Sequence, residues 1–405
     1  MQILAENNSA FGSSDFLNRT GKDSVKAILS VSIGLVCLHT SAGQTIEPFQ
    51  AGPVSRTAGI VDDASLNDVG GAGDFCMAVG ARGVICRSLD AGATWTASRV
   101  SVDATLGSVC FLTNRIGWVA GWRFDAHEQI LRGVLLTTRD GGETWTDLSA
   151  KATSNTDAGV LIDEETGRPV MQGSNLAAIR LVRFFNTDKG IVLCSRSASQ
   201  NGGLFQTDDG GRTWKRLASD TENPDWQGAE FSSPYSGIVV GAGSSFGTFV
   251  GDRLMTLGQP RRSLKAFRDA HLSQSGTGWM AGDGGLLLHT TDGGVTWKAP
   301  PRPLAPQLNN VLDFHSVDQR GPTVCIAGSP GNIIVHSENA GRSWRFRRVS
   351  VPTPIHKVRF LSDSVCLAVG AMGTIHRSGD AGKTWETVRN GDYRAGLLAL
   401  AGDPS

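Results

Sequence analysis

The first thing this 405-residue chain lacks is an excess of charge of either sign. Lysine and arginine together number 38, and aspartate and glutamate together also number 38, so the formal net charge is zero. The totals therefore give no basis for a dominant electrostatic attraction to nucleic acid or to an anionic membrane. Nucleic acid is not expected among the partners.

The chain also lacks a hydrophobic run long enough to span a bilayer. Its N-terminal apolar stretch, "AILSVSIGLVCL" (27–38), has only twelve residues and follows Lys22 and Lys26, whereas a spanning helix needs about 20. This pattern fits the core of a secretory signal, and Thr40-Ser41-Ala42 supplies the small residues of a cleavage site. We predict a signal peptide over 1–42, a single domain over 43–405, and export to the periplasm or another extracytoplasmic compartment. Retention of the segment as an anchor is the open alternative.

What the chain does have is a short turn sequence that occurs six times, as in "TTRDGGETW" (137–145) and "HTTDGGVTW" (289–297). An Asp or Asn in this turn accepts hydrogen bonds from nearby backbone N–H groups, and the glycine two residues later suits a positive φ. Asn339 keeps the acceptor oxygen without the charge, which indicates a structural turn that does no acid–base chemistry. The acid positions are Asp90, Asp140, Asp209, Asp292, Asn339 and Asp380, and the closing tryptophans are Trp95, Trp145, Trp214, Trp297, Trp344 and Trp385.

Each turn follows three apolar strand-like segments and precedes a fourth, and a four-stranded meander repeated around an axis is a propeller blade. Trp214 and Trp297 are 83 residues apart, against 41 for Trp344 and Trp385. The segment 227–257 keeps the hydrophobic pattern without the turn, so it counts as a degenerate blade. We predict an all-β, seven-bladed β-propeller with four antiparallel strands per blade, with six blades as the alternative. Residues 151–175 are expected to loop out, and "AGLLALAG" (395–402) to form one more strand that completes the first blade.

Six cysteines remain after Cys37, and no CxxC pair occurs. Cys76, Cys325 and Cys366 occupy the same point of the repeated strands "FCMAVG", "VCIAG" and "VCLAVG", so we expect them in different blades and too far apart to bond. These cysteines are better interpreted as small hydrophobic side chains buried in the core. Cys76 and Cys86 flank the turn 80–83 and are the one pair that a hairpin would bring face to face.

The repeated turn resembles the Asp-box, or BNR, repeat of sialidases, xyloglucanase-type glycosidases and sortilin-like receptors. It is most similar to the propeller family of photosystem II assembly and stability factors, because "GWVAG" and "GWMAG" precede the boxes at 137–145 and 289–297. The resemblance covers about 60–390. It implies an exported, non-enzymatic propeller that acts as a protein-binding scaffold or assembly factor without a cofactor. In photosynthetic members the partner is a photosystem II subunit precursor.

The alternative is a glycoside hydrolase of the sialidase or xyloglucanase kind. A sialidase would need a tyrosine nucleophile supported by a glutamate, and the chain has only Tyr235 and Tyr393, in a turn-like context and near the chain end. A xyloglucanase would need two propellers facing each other, and the length suffices for one. No residue is predicted to be catalytic or to bind a metal or a cofactor.

The candidate binding residues are paired cations on three of the predicted innermost strands. These strands surround the central channel of a propeller, so six cations would form a basic funnel there, suited to an acidic peptide, a carboxylate terminus or a membrane-protein precursor. The alternative is that each cation pairs with an acid of a neighbouring blade or points to solvent. The six residues are Arg180, Arg183, Lys265, Arg268, Lys357 and Arg359.

Overall fold

The computed structural model describes residues 63–149, 161–162, 169–172, 176–196, 202–220, 225–257, 264–305 and 311–390, all within one compact unit, Val54–Ser405. These residues form seven antiparallel sheets in chain order, which confirms the seven-bladed all-β propeller. The predicted signal peptide and the segment 395–402 lie outside the described residues. Within the described ranges, none of the helical segments has the length and apolarity needed to cross a membrane.

Each blade is a meander in which successive strands pair with their sequence neighbours. The innermost strands, from blade 1 to blade 7, are β1 (Leu66–Ala72), β5 (Thr105–Phe111), β11 (Ile179–Phe184), β16 (Trp226–Ser233), β20 (Phe267–Leu272), β23 (Asp313–Arg320) and β27 (Ile355–Phe360). The second strands are β2 (Phe75–Gly80), β6 (Gly117–Asp125), β12 (Gly190–Cys194), β17 (Ser236–Gly241), β21 (Gly278–Gly282), β24 (Thr323–Ser329) and β28 (Cys366–Gly370).

In every blade except blade 4 the third strand leads into a repeated turn, and the fourth strands follow on the outer side of each meander. The third strands are β3 (Val84–Ser88), β7 (Ile130–Thr138), β13 (Gly203–Thr207), β18 (Phe246–Val250), β22 (Leu287–Thr290), β25 (Ile333–Ser337) and β29 (Ile375–Ser378). The fourth strands are β4 (Thr96–Arg99), β8 (Thr146–Asp147), β14 (Thr213–Arg216), β19 (Arg253–Thr256), β26 (Arg345–Arg348) and β30 (Glu386–Arg389). In blade 5 the fourth strand is reduced to a single bridge between His289 and Lys298.

The segment 151–175 differs from the expected loop. Its described residues form two short strands, β9 (Leu161–Ile162) and β10 (Pro169–Gln172), and β10 pairs with β14, so blade 3 becomes a six-stranded sheet. The outer edge of a blade has unpaired backbone groups, and an inserted segment can satisfy them by adding strands. Blade 4 is extended in the same way by β15 (Ala218–Ser219), which runs parallel to β19.

The repeated turns have the hydrogen bonding that the sequence predicts. In the first box, the Asp90 carboxylate accepts the Thr94 backbone N–H at 2.8 Å and the Thr94 hydroxyl at 2.6 Å. The Thr94 hydroxyl is the main cause that lowers the pKa of Asp90 to about 2. Asn339 keeps this arrangement, since its oxygen accepts the Ser343 N–H at 2.8 Å while its amide nitrogen donates to the Ser343 hydroxyl at 2.9 Å.

The box glycines also pack each turn onto the preceding blade. Gly341 has a φ of 77°, and a Cβ there would lie 2.5 Å from the Trp279 ring of blade 5. Gly211 and Gly382 contact blades 2 and 6 in the same way, through Leu135 and Cys325. Positive φ is the conformation that glycine adopts without strain. Each box therefore closes its own turn and fills the groove between two blades.

The cysteines are all free and buried in the described part of the chain. The hairpin does not bring Cys76 and Cys86 face to face, because Cys76 pairs with Ser88 and Ala78 pairs with Cys86 in the register of β2 and β3. The expectation that Cys325 and Cys366 are far apart is wrong. Both lie in one core cluster between blades 6 and 7, and burial and then a hydrogen bond with Cys325 raise the pKa of the Cys366 thiol.

Candidate binding site at the mouth of the central channel

Every innermost strand has a register shift at the same point, near its beginning. In β11, for example, Ile179 pairs with Cys194 and Leu181 with Leu193, so Arg180 is left unpaired as a bulge. A bulge turns its own side chain out of the regular alternation, and the residues after it resume a period of two. The seven strands therefore present their side chains to the channel at three successive depths.

We name these depths the mouth tier, the middle tier and the deep tier. The mouth tier contains the bulged residues Asn67, Gly107, Arg180, Gln227, Arg268, His315 and His356. The middle tier contains the next residues along each strand, Asp68, Ser108, Leu181, Gly228, Asp269, Ser316 and Lys357. The deep tier lies two residues further on, at Gly70, Cys110, Arg183, Glu230, His271, Asp318 and Arg359.

The mouth tier borders an open cavity of about 440 Å³. The Arg268 guanidinium pairs with Asp283 of its own blade through Nε at 2.7 Å and Nη2 at 3.0 Å. In the part of the chain that the structure describes, the Arg180 Nε is buried without a hydrogen-bond partner. Burial lowers the pKa of Arg180 and the Arg268 cation lowers it further, while Asp225 opposes both. Arg180 is thus a partly desolvated cation that forms no ion pair with any described carboxylate.

Two histidines of the next two blades, His315 of blade 6 and His356 of blade 7, have one ring nitrogen each held by the neighbouring blade. His315 Nδ1 lies 3.1 Å from the Ile355 carbonyl, and His356 Nδ1 lies 2.9 Å from the Leu66 carbonyl. A backbone carbonyl can only accept, so both Nδ1 atoms donate and both Nε2 atoms keep a lone pair. Burial lowers the pKa of each ring. The neutral rings add polarity to the mouth, and no group of three or more potential metal ligands occurs among the described residues.

The middle tier joins neighbouring blades through charged and polar side chains. The Lys357 ammonium lies 2.8 Å from Asp269 Oδ2, which also accepts the Ser316 hydroxyl at 2.8 Å. Asp68 accepts the Val109 backbone N–H at 2.9 Å across the boundary between blades 1 and 2. Inner strands of adjacent blades do not pair with each other, so these side chains supply the hydrogen bonds between them.

The deep tier is a compact network of opposite charges. His271 Nδ1 lies 2.8 Å from Asp318 Oδ1, and Asp318 Oδ2 accepts the Phe360 backbone N–H at 2.7 Å. Burial opposes the ionised form of Asp318, but His271 and Arg359 outweigh it and lower its pKa to about 2. Burial raises the pKa of Glu230, against the attraction of Arg359. The cavity between the middle and deep tiers has only about 50 Å³, so the channel narrows strongly inward.

The structure places the six predicted cations at different depths. Arg180 and Arg268 lie in the mouth tier, Lys357 in the middle tier, and Arg183 and Arg359 in the deep tier. Lys265 precedes β20 and donates to the Gly284 carbonyl at 3.2 Å, away from the tiers. The expected basic funnel is a channel of mixed charge, because carboxylates share it with the five cations. The carboxylates are Asp68, Glu230, Asp269, Asp318 and, at the rim, Asp283 and Asp313.

Sequence reasoning missed Gln227, His315 and His356 at the mouth, and all the acids of the channel. The available signal was alignment of the seven inner strands at the bulge, which puts Arg180 and His356 in one column and Lys357 in the next. Without the bulge, a strict period of two assigns these side chains to the wrong depth.

Comparison with known proteins supports the same architecture. The family model described as "Photosynthesis system II assembly factor YCF48" matches residues 262–393. The photosystem II assembly lipoprotein Ycf48 of Picosynechococcus sp. is 25% identical over 182 residues, which cover 44% of this chain and 53% of that protein. The photosystem II assembly protein Ycf48 of Synechococcus sp. (strain JA-3-3Ab) is 22% identical over 185 residues, again covering 44% and 53%. The chain therefore spans about half the length of these curated relatives.

The chain is a BNR-type propeller close to the photosystem II assembly factor family.

Solved structures agree with this fold. The structure of YCF48 bound to D1 peptide has a TM-score of 0.58 and 19% identity, and the match covers 78% of this chain and 92% of that one. YCF48 from Cyanidioschyzon merolae has a TM-score of 0.56 and 17% identity, covering 78% and 96%. The GH74 enzyme of Niastella koreensis matches at a TM-score of 0.54 and 14% identity, covering 82% of this chain and 55% of the enzyme. At these identities the likeness establishes the fold alone.

Proposed function

We propose that this chain is an exported, non-enzymatic assembly factor that binds a segment of another protein at the mouth tier. The ligand is an acidic peptide or the C-terminal carboxylate of a membrane-protein precursor. Similarity to the Ycf48 assembly factors supports a propeller assembly factor, and a relative of this fold was solved with a D1 peptide bound.

The observation that carries the proposal is the state of Arg180. Among the described residues, its Nε donor is buried without a hydrogen-bond partner, no carboxylate forms an ion pair with its guanidinium, and the residue lines the open cavity of about 440 Å³. A carboxylate ligand would supply acceptors in the paired geometry that guanidinium groups favour. It would also offset the repulsion between Arg180 and Arg268 that lowers the pKa of Arg180. The Asp283–Arg268 pair would stay in place as the wall of the site.

Two carboxylates at the rim of the mouth, Asp283 and Asp313, are engaged by neighbouring groups. Asp283 is held by Arg268, and Asp313 Oδ1 accepts the Gly284 backbone N–H at 2.7 Å. A glycosidase requires two carboxyl groups free to act on one glycosidic bond. This arrangement supports the binding function over the glycoside hydrolase alternative.

A peptide-binding experiment tests the proposal. The probe is a fluorescent decapeptide rich in glutamate, prepared once with a free C-terminal carboxylate and once as the amide. We expect Arg180→Gln to weaken binding of the free-acid peptide at least ten-fold, since a charge-assisted bidentate bond is lost. Arg115→Gln, which removes an exposed cation outside the tiers, is the matched control and should bind like the native chain.

Equal affinity of the native and Arg180→Gln proteins would contradict the mouth-tier site. Release of sugar from a glycan panel by the native protein would support the glycosidase instead.

Export has its own test, because the chain recovered from the host envelope should begin at Gly43 by intact mass. A chain found only in the cytoplasm with its N-terminus intact would contradict export.

A further inference from the structure

The zero net charge of the chain conceals a strongly basic segment in blade 6, formed by the outer strand and the turn before it. No aspartate or glutamate occurs between Glu338 and Asp363, and this stretch includes β26, with the sequence Arg-Phe-Arg-Arg. Glu338, the nearest acid before it, is already paired with Lys383 at 2.7 Å. We name the exposed residues Arg342, Arg345, Phe346 and Arg348 the blade-6 edge.

These arginines have no ion pair and no side-chain hydrogen bond within the described ranges, in contrast to their equivalents in other blades. Arg99, Arg348 and Arg389 occupy the same place, each opposite the first residue of the third strand of its blade. Arg99 Nε donates to the Arg82 carbonyl at 2.7 Å, and Arg389 Nη1 donates to the Gly373 carbonyl at 2.6 Å.

The reason for the difference lies in the hairpin before the third strand. In blades 1 and 7 this connection is a 3-10 turn, Ala81–Gly83 or Ala371–Gly373, whose carbonyl receives the arginine. In blade 6 the connection contains Pro330 and Gly331 instead, and it offers Arg348 no such acceptor. The same side chain that fastens the outer strand in blades 1 and 7 is therefore left exposed in blade 6.

Phe346 gives the blade-6 edge a second property. Its side chain is 43% exposed, on the strand between Arg345 and Arg348. An exposed aromatic ring among cations is the composition that binds membrane interfaces, with the ring at the acyl boundary and the guanidinium groups on lipid phosphates. The blade-6 edge contains a single aromatic ring, whereas a stable protein interface buries about 800 Å² on each partner around an apolar centre.

We propose that the blade-6 edge binds the surface of anionic phospholipid membranes, as a peripheral contact separate from the mouth tier. The arginines bind headgroup phosphates and Phe346 inserts between the lipids. The contact would hold the propeller beside a membrane whether or not the mouth tier binds a peptide.

Vesicle sedimentation with the full chain tests this assignment. Vesicles of 30% phosphatidylglycerol in phosphatidylcholine are compared with pure phosphatidylcholine, so the apolar segment 27–38, present in every protein, contributes to both arms. We expect the native chain to partition more strongly to the anionic vesicles. In the triple variant Arg342→Gln/Arg345→Gln/Arg348→Gln, the partition coefficient for the anionic vesicles should fall roughly a hundred-fold. Each arginine near an anionic surface contributes about a factor of five to this coefficient.

Two further variants distinguish this from a general charge effect. Arg115→Gln/Arg139→Gln/Arg253→Gln removes three other exposed arginines and should leave the excess within about two-fold. Phe346→Ser should lower the partition coefficient for the anionic vesicles by a smaller factor. This loss should persist in 0.5 M salt, because salt does not screen the insertion of an apolar ring. Circular dichroism confirms that each variant is folded.

Equal partitioning of the native chain to both vesicle types would overturn the proposal, as would an unchanged excess in the blade-6 triple variant. Soluble poly-glutamate provides the other arm. Binding of poly-glutamate that requires the three arginines, without binding to anionic vesicles, would reassign the blade-6 edge to an acidic protein.

Discussion

At the mouth of the channel, Arg180 borders open solvent and forms no ion pair with a described carboxylate, whereas Arg359 of the deep tier lies within the attraction of Asp318 and Glu230. Both are arginines of innermost strands, in blades 3 and 7. The difference teaches that the acids around a channel cation decide its role. Arg180 is available to a ligand, whereas Arg359 neutralises buried acids of the deep tier.

The largest effect should follow from breaking the deep tier. Arg359→Met removes the cation that attracts both Glu230 and Asp318 and leaves Asp318 with His271 as its contacting partner, so we expect the free energy of unfolding to fall by roughly 3–5 kcal/mol. Urea denaturation measures it, with the exposed Arg139→Gln as a control that should stay within about 0.5 kcal/mol. A loss below about 1 kcal/mol would mean that the deep tier is not an integrated network.

The two tiers should respond to pH in opposite directions. In the deep tier, burial lowers the pKa of His271 but Asp318 outweighs it, so the net pKa is raised above 6.5. The stability from this pair is fully present below pH 6.5 and is lost as pH rises through the raised value. In the mouth tier, burial lowers the pKa of His356 below 6.5. The contribution of neutral His356 to the free energy of unfolding is fully present above pH 6.5 and is lost as pH falls through the lowered pKa.

Unfolding free energies of His271→Gln and His356→Gln between pH 4.5 and 9 measure this contrast. The difference in unfolding free energy between the native protein and His271→Gln should shrink above pH 6.5. The corresponding difference for His356→Gln should shrink below pH 6.5. Parallel pH profiles for the two variants would contradict the separation of the tiers.

The smallest effect on stability is expected at the mouth. Arg180→Gln removes a partly desolvated cation that has no ion pair, so the free energy of unfolding should change by no more than about 0.5 kcal/mol. Urea denaturation of the protein used in the peptide assay provides the measurement. A loss above about 2 kcal/mol would show that Arg180 is structural and would undermine the mouth-tier site.

The blade architecture was predictable because its determinants are local. The acceptor at Asp90, the positive φ at Gly92 and the closing Trp95 are set within one nine-residue turn, and Asn339 behaves as the turn chemistry requires. The degenerate blade was also found from its strand pattern, and it has its four strands in sequence order.

The channel was only partly predictable because it is assembled from seven distant strands. The sequence identified Arg180 and Lys357 as inward-facing cations, but their depth depends on the bulge at each strand start. It also gave no reason to place Asp269 beside Lys357, since 88 residues separate them. The proximity of the free thiols of Cys325 and Cys366 was missed for the same reason, because both residues lie at a boundary between blades.

One feature of the fold has a mechanical consequence. Within the described residues, each blade draws its core meander from one continuous stretch, and blade 7 meets blade 1 through side chains, as in the Arg377 Nε bond to the Ala91 carbonyl at 3.0 Å. No strand ladder crosses this boundary there. Among the described residues, force across this seam would therefore be resisted by side-chain contacts, whereas force within a blade would be resisted by backbone ladders. The same modularity allows the chain to be permuted, or a blade duplicated, without rewiring a sheet.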